Sequence, residues 1–92
     1  GALPQEIVPA YHVLIKASAE KELDVLAPAL HARATAKILG LGSDPRPPGS
    51  QKLPGGDGYR LRIGDYRILY AVDDDRHTVT IFSVAHRREA YR

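Results

Sequence analysis

The sequence predicts an α+β fold in which a helical hairpin packs on one face of a four-stranded, antiparallel-rich sheet. Three observations carry this. Apolar residues between Ala19 and Leu41 recur at helical spacing. Three strand-like runs between Tyr59 and Val84 are joined by short polar turns. The helical segments lie side by side in the chain and are not interleaved with the strands, which separates α+β from α/β architecture.

The elements follow in order. Pro4 and Pro9 bracket an aperiodic leader over 1–10, and a chain opening Gly1-Ala2 with no methionine reads as carrying a processing scar, so the domain is expected over 11–92. Tyr11 to Lys16, rich in aromatic and β-branched residues, reads as the first strand. Ser18 stands where an N-cap hydroxyl is wanted, with Glu20 and Glu22 suited to the positive end of the helix dipole. Ala19, Leu23 and Leu26 form the buried stripe of this first helix. Pro28 falls in the first turn of the second, where its missing N–H costs little. Leu30, Ala34, Ile38 and Leu41 form the second stripe, and Gly40 and Gly42 end it. Residues 42–58 are loop by composition, with Leu53 expected to tuck into the core as an anchor. Tyr59–Ile63, a Gly64-Asp65 turn and Tyr66–Val72 form a hairpin. Asp73–His77 is a polar turn leading to a last strand, Thr78–Val84. The first strand must cross the helices to rejoin the sheet, beside the last strand or at another free edge.

With 92 residues and 10.1 kDa there is room for one domain. A hydrophobic fraction of 43% against 26% charged residues argues against disorder. The absence of cysteine excludes a disulfide framework, a thiolate nucleophile and a Cys-based zinc site. No apolar run reaches the roughly 18 residues of a membrane span, so a membrane partner is not expected and the cytoplasm is the expected compartment. Asp73-Asp74-Asp75 lacks the glycine and closing glutamate of a calcium loop, and no metal or other cofactor is expected. The net charge of +2 hides an asymmetry: apart from that aspartate run, residues 51–92 carry eight Lys/Arg against three Asp/Glu, and seven of the eight are arginine. Guanidinium forks bind phosphate bidentately.

A two-residue Gly64-Asp65 loop sets the register by counting. Ile63 faces Tyr66, Arg62 faces Arg67, Leu61 faces Ile68, Arg60 faces Leu69 and Tyr59 faces Tyr70. Alternation then puts Tyr59, Leu61, Ile63, Tyr66, Ile68, Tyr70 and Val72 on the core face. Arg60, Arg62 and Arg67 share the other face with Leu69 and Ala71. Arg62 opposite Arg67 costs the ladder on the order of 0.2–1 kcal/mol. Like charges so placed suggest an anion site such as a polyphosphate backbone, unless Asp57, Asp65 or Glu89 neutralises them. Arg67 is expected to be exposed, so that its removal would be neutral or slightly stabilising. Beyond the last strand, Arg87 lies near this face, His86 can titrate near neutral pH, and Tyr91 can stack a base. His12, His31 and His77 read as packed or solvated histidines.

Lys52-Leu53, the run Gly58-Tyr59-Arg60-Leu61-Arg62-Ile63-Gly64-Asp65-Tyr66-Arg67-Ile68-Leu69-Tyr70, and His86-Arg87-Arg88-Glu89-Ala90-Tyr91 resemble the RelE/ParE superfamily of bacterial toxins over about residues 11–92. The resemblance implies the toxin of a type II toxin–antitoxin pair, neutralised by a cognate antitoxin. RelE-like members are metal-independent endoribonucleases that cut mRNA on the ribosome through the 2′-hydroxyl, leaving a 2′,3′-cyclic phosphate and arresting translation. ParE-like members share the fold and inhibit DNA gyrase. By this resemblance Lys52, Arg60 and Arg62 bind phosphate, Arg67 and Arg87 stabilise the transition state, and Tyr91 stacks. The family's best-known nuclease has lysines at the two hairpin positions. Arginine is a poor general base, so His86 or Glu89 takes that role or catalysis rests on positioning and charge. His86 beside Arg87, with Tyr91 downstream, favours the nuclease over the gyrase inhibitor.

Overall fold

The computed structural model describes residues 10–86. The leader over 1–9 and the site candidates Arg87, Glu89 and Tyr91 lie outside the described residues. The elements run β1 (His12–Ile15), α1 (Ala17–Asp24), α2 (Pro28–Gly40), β2 (Ser50–Lys52), β3 (Gly58–Ile63), β4 (Tyr66–Asp73) and β5 (Thr78–His86). The sheet order is β1-β5-β4-β3-β2. β1 joins β5 in parallel after crossing the helices, and the other three pairings are antiparallel.

The sheet has five strands where the sequence predicts four. The additional strand, β2, is three residues long and lies inside the Pro- and Gly-rich segment. Ser-Gln-Lys carries no strand signal of its own. Its conformation comes from pairing to the free edge of β3, closed by the Leu53 N–H bond to the Gly58 carbonyl at 2.8 Å. Leu53 is accordingly half-buried, packed over Gly58, where an added Cβ would lie 3.2 Å from the leucine Cδ1. The deeper anchors of the 41–49 connection are Leu41, with no exposed surface, and the Tyr70 hydroxyl, which donates to the Pro45 carbonyl at 2.8 Å.

The β3–β4 register is the one counted from a two-residue loop, with Gly64 at φ 58° supplying the left-handed turn position. The core follows the predicted faces. Ala19, Leu23 and Leu26 of α1 and its exit, and Ala34, Ile38 and Leu41 of α2 and its exit, pack on Leu61, Ile63, Ile68, Tyr70, Val72, Val79, Ile81 and Val84, with Tyr59 and Tyr66 at the margin. α1 begins two residues earlier than Ser18 as N-cap suggests. Its N-cap is Lys16, no side chain caps it, and Ser18 is an exposed residue within the first turn. Pro28 is the first residue of α2, as its fixed φ favours.

A bulge changes the phase of β5. Leu69 pairs Ser83 and Tyr70 pairs Ile81, so Phe82 is an extra residue. Val79 and Ile81 point into the core before it, and Val84 does so after it. β1 ends opposite Ile81, and beyond that point Glu22 of α1 serves the strand edge. Its Oε1 accepts the Val84 N–H at 2.8 Å and the Ser83 hydroxyl at 3.2 Å. Hydrogen bonds to a charged acceptor contribute about 1.5–3 kcal/mol when buried and less when part-exposed. Glu22→Ala should therefore destabilise the protein by about 1–2 kcal/mol in thermal or denaturant unfolding, and Glu22→Gln, which keeps an acceptor oxygen, by less. An unchanged midpoint for Glu22→Ala would show that the strand edge does not need the carboxylate.

Candidate functional site

The sheet face away from the helices is built from cross-strand rows. Gln51, Arg60, Leu69 and Ser83 form one row, and Arg62, Arg67 and Ala85 the next. The three arginines therefore share a face as the register predicts. Their environments differ. Arg62 is exposed and Arg60 half-buried, whereas Arg67 is only 3% exposed, the one buried charged residue among those described. The expectation of a solvated Arg67 is thus corrected. Leu69 and Ala71, on the same strand and face, are only half-buried, so strand position alone does not account for the burial of Arg67. Arg60 is tethered by its direct neighbour: Gln51 Oε1 accepts from Arg60 Nε at 3.0 Å and also from Nη2. A cleft of about 350 Å³ opens between Gly49, Gln51, Arg60 and Arg62.

Two predicted site residues stand elsewhere. Lys52 pairs with Tyr59 and shares its side of the sheet. Its Nζ bonds the Gly56 carbonyl and lies 5.6 Å from the Tyr59 ring centroid, so it does not join Arg60 and Arg62. His86 pairs with Tyr66, and the two rings meet edge to face at 5.2 Å. The bulge at Phe82 places His86 in phase with Val84, on the helix side of the sheet. Strict alternation from Val79 and Ile81 would have placed it beside Arg67.

The turn at 73–77 does more than reverse the chain. Asp74 accepts from Arg46 Nη1 and Nη2 at 3.2 and 2.8 Å and from the Tyr11 hydroxyl at 2.6 Å. Arg46 Nε donates to the Tyr59 hydroxyl at 2.8 Å. Arg46, and then Tyr11, hold the Asp74 carboxyl below its ordinary range, while the bond to Asp74 raises the Tyr11 phenol and the Arg46 guanidinium. This network ties the 41–49 connection to the β4–β5 turn. Sequence reasoning finds neither Arg46 nor Gln51. Both lie in a segment without periodicity, and the only cue to them is the density of potential partners around it.

A two-helix layer on one side of a five-stranded sheet, with three arginines in register on the other, defines a small α+β domain with a cationic sheet face. Residues 13–91 match the family described as the ParE toxin of the type II toxin–antitoxin system parDE, and the chain belongs to that family. It is 36% identical over 84 residues, 89% of this chain and 87% of the relative, to Toxin RelE of Mycobacterium tuberculosis (strain ATCC 25618 / H37Rv). Its structure is similar to the toxin–antitoxin complex RelBE2 from Mycobacterium tuberculosis, with a TM-score of 0.76, 29% identity, and coverage of 90% of this chain and 98% of the other. It is also similar to the archaeal RelE–RelB complex from Pyrococcus horikoshii OT3, with a TM-score of 0.75, 28% identity, and coverage of 85% and 96%.

Proposed function

We propose that this toxin is a metal-independent endoribonuclease that cleaves mRNA on the ribosome, arrests translation and is neutralised by a cognate antitoxin. The observation that carries the reading is the register of Arg60, Arg62 and Arg67 on one helix-free face, in a chain 36% identical over most of its length to a protein named Toxin RelE. The like-charge opposition of Arg62 and Arg67 is unfavourable for the ladder, and a bound phosphate relieves it.

In the proposed reaction the 2′-oxygen attacks the adjacent phosphorus and the bond to the 5′-oxygen breaks; the departing 5′-oxygen takes a proton from water, leaving a 2′,3′-cyclic phosphate and a 5′-hydroxyl. Arg67 and Arg87 offset the charge that builds on the phosphoryl oxygens, Arg60 and Arg62 seat the backbone, and Tyr91 stacks a base. With His86 on the helix side, Glu89 is the favoured acceptor for the 2′-hydroxyl proton. An acidic, amphipathic antitoxin segment covering the arginines with Leu69 and Ala71 would neutralise both charge and apolar surface. The similar structures are a toxin–antitoxin complex, RelBE2, and a RelE–RelB complex, which supports a cognate antitoxin as a partner. Among the described residues no helix is long and apolar enough to cross a membrane.

Inducing the toxin and following translation and DNA supercoiling in parallel tests the reading. Rapid arrest with cleaved mRNA is expected. Gyrase-dependent DNA breaks with delayed arrest would instead establish the gyrase-inhibitor activity. Because arginines supply the charge that a metal would otherwise provide, RNA cleavage should be unchanged by EDTA. Loss on chelation with recovery in magnesium or manganese would overturn that assignment.

A further inference from the structure

We propose that Gln51 is a positioning residue of the arginine face, holding the Arg60 guanidinium as a fixed fork toward the RNA phosphate backbone. The inference rests on the RNA-cutting function proposed above. Gln51 and Arg60 are direct partners across the β2–β3 ladder, and one amide oxygen accepts from both Nε and Nη2. An arginine side chain carries about 2 kcal/mol of rotamer entropy, so tethering it before substrate arrives removes part of the ordering cost of binding.

The residue type at 51 is informative. A carboxylate would hold Arg60 more strongly, since charge-assisted bonds are about twice as strong as neutral ones. It would also cancel the positive charge that a phosphate needs. A neutral amide orients the fork and leaves the charge in place. The neighbouring geometry fits an approaching backbone. Gly49, at φ 95°, immediately precedes β2 at the rim of the cleft, and an added Cβ there would meet only the Leu61 Cδ1 at 3.8 Å. The wall beside Gln51 is therefore free of a side chain, and the left-handed backbone favours glycine. Arg62 stands one row away, about 7 Å along the strand, so the two guanidinium groups form a short cationic track.

The test uses the full chain and a short single-stranded RNA, with binding measured by fluorescence anisotropy across a salt series and cleavage measured in steady state. Gln51→Ala should weaken binding about three- to tenfold, the worth of one net hydrogen bond, without changing the slope of log affinity against log salt. Its KM should rise while kcat holds. Gln51→Glu preserves the contact and neutralises the fork. It should make the slope shallower by about 0.7, the value of one phosphate contact on a single strand. Gln51 is exposed, so both variants should melt near the parent. Arg62→Ala is the control. If it weakens binding while both Gln51 variants bind with the parent affinity and slope, the positioning role is overturned and the RNA-cutting function stands. If Arg62→Ala also binds like the parent, RNA does not use this face, and that function falls together with the inference.

Discussion

Arg67→Met should leave the protein folded and reduce RNA cleavage by at least about 100-fold, the typical effect of removing one preorganised donor from a developing oxyanion. Methionine keeps an unbranched stem of similar reach and removes the fork. The substitution also removes a buried charge and its opposition to Arg62, which offset the loss of the guanidinium's own contacts. Arg67→Met is therefore expected to melt within a few degrees of the parent. Arg67→Ala should lose as much activity but melt lower. At 3% exposure the stem fills space that alanine leaves empty, at a cost of about 1–3 kcal/mol. Arg67→Lys keeps the charge without the fork and should retain intermediate activity. Cleavage and melting measured on all three variants decide the matter. A stable, fully active Arg67→Met would remove Arg67 from the site. A poorly folded one would make the guanidinium a structural group.

What was legible in the sequence was whatever depended on local period and turn chemistry. The stripes of α1 and α2, the Gly64-Asp65 hairpin and its register, and the face shared by Arg60, Arg62 and Arg67 all follow from spacing. What was not legible came from tertiary context. β2 exists because β3 has an edge to fill, and Ser50–Lys52 has no intrinsic reason to be extended. The phase of His86 depends on one extra residue, Phe82, and a one-residue shift exchanges the faces of a strand. Burial of Arg67 is a tertiary feature, which alternation alone does not report. Lys52 stands beside a recognisable motif, yet it lies one residue out of phase with Gln51, whose side chain meets Arg60.

The largest effect on stability is expected at Tyr70, which has no exposed surface, stacks on Tyr59 at 5.7 Å and donates its hydroxyl to the Pro45 carbonyl. Tyr70→Ala should cost about 3–5 kcal/mol, a large fraction of the roughly 5–15 kcal/mol available to a small domain. Tyr70→Phe keeps the ring and loses only the hydroxyl bond. It should cost about 1–2 kcal/mol and loosen the 41–49 connection, which hydrogen exchange would detect as faster opening there than in β4. The two variants also differ from the parent in alkali. Burial raises the Tyr70 phenol above its ordinary value near 10, so the folded state favours the neutral form. A group of this sign contributes stability that is complete below the unfolded-state value and is lost as pH rises from about 10 through the folded-state value. The Tyr11 phenol, raised by its bond to Asp74, contributes in the same window. The parent should consequently lose stability on going from pH 9 to pH 11 more steeply than Tyr70→Phe, by denaturant unfolding at each pH. Parallel curves for the two proteins would mean that the Tyr70 hydroxyl titrates in the folded state as it does in water.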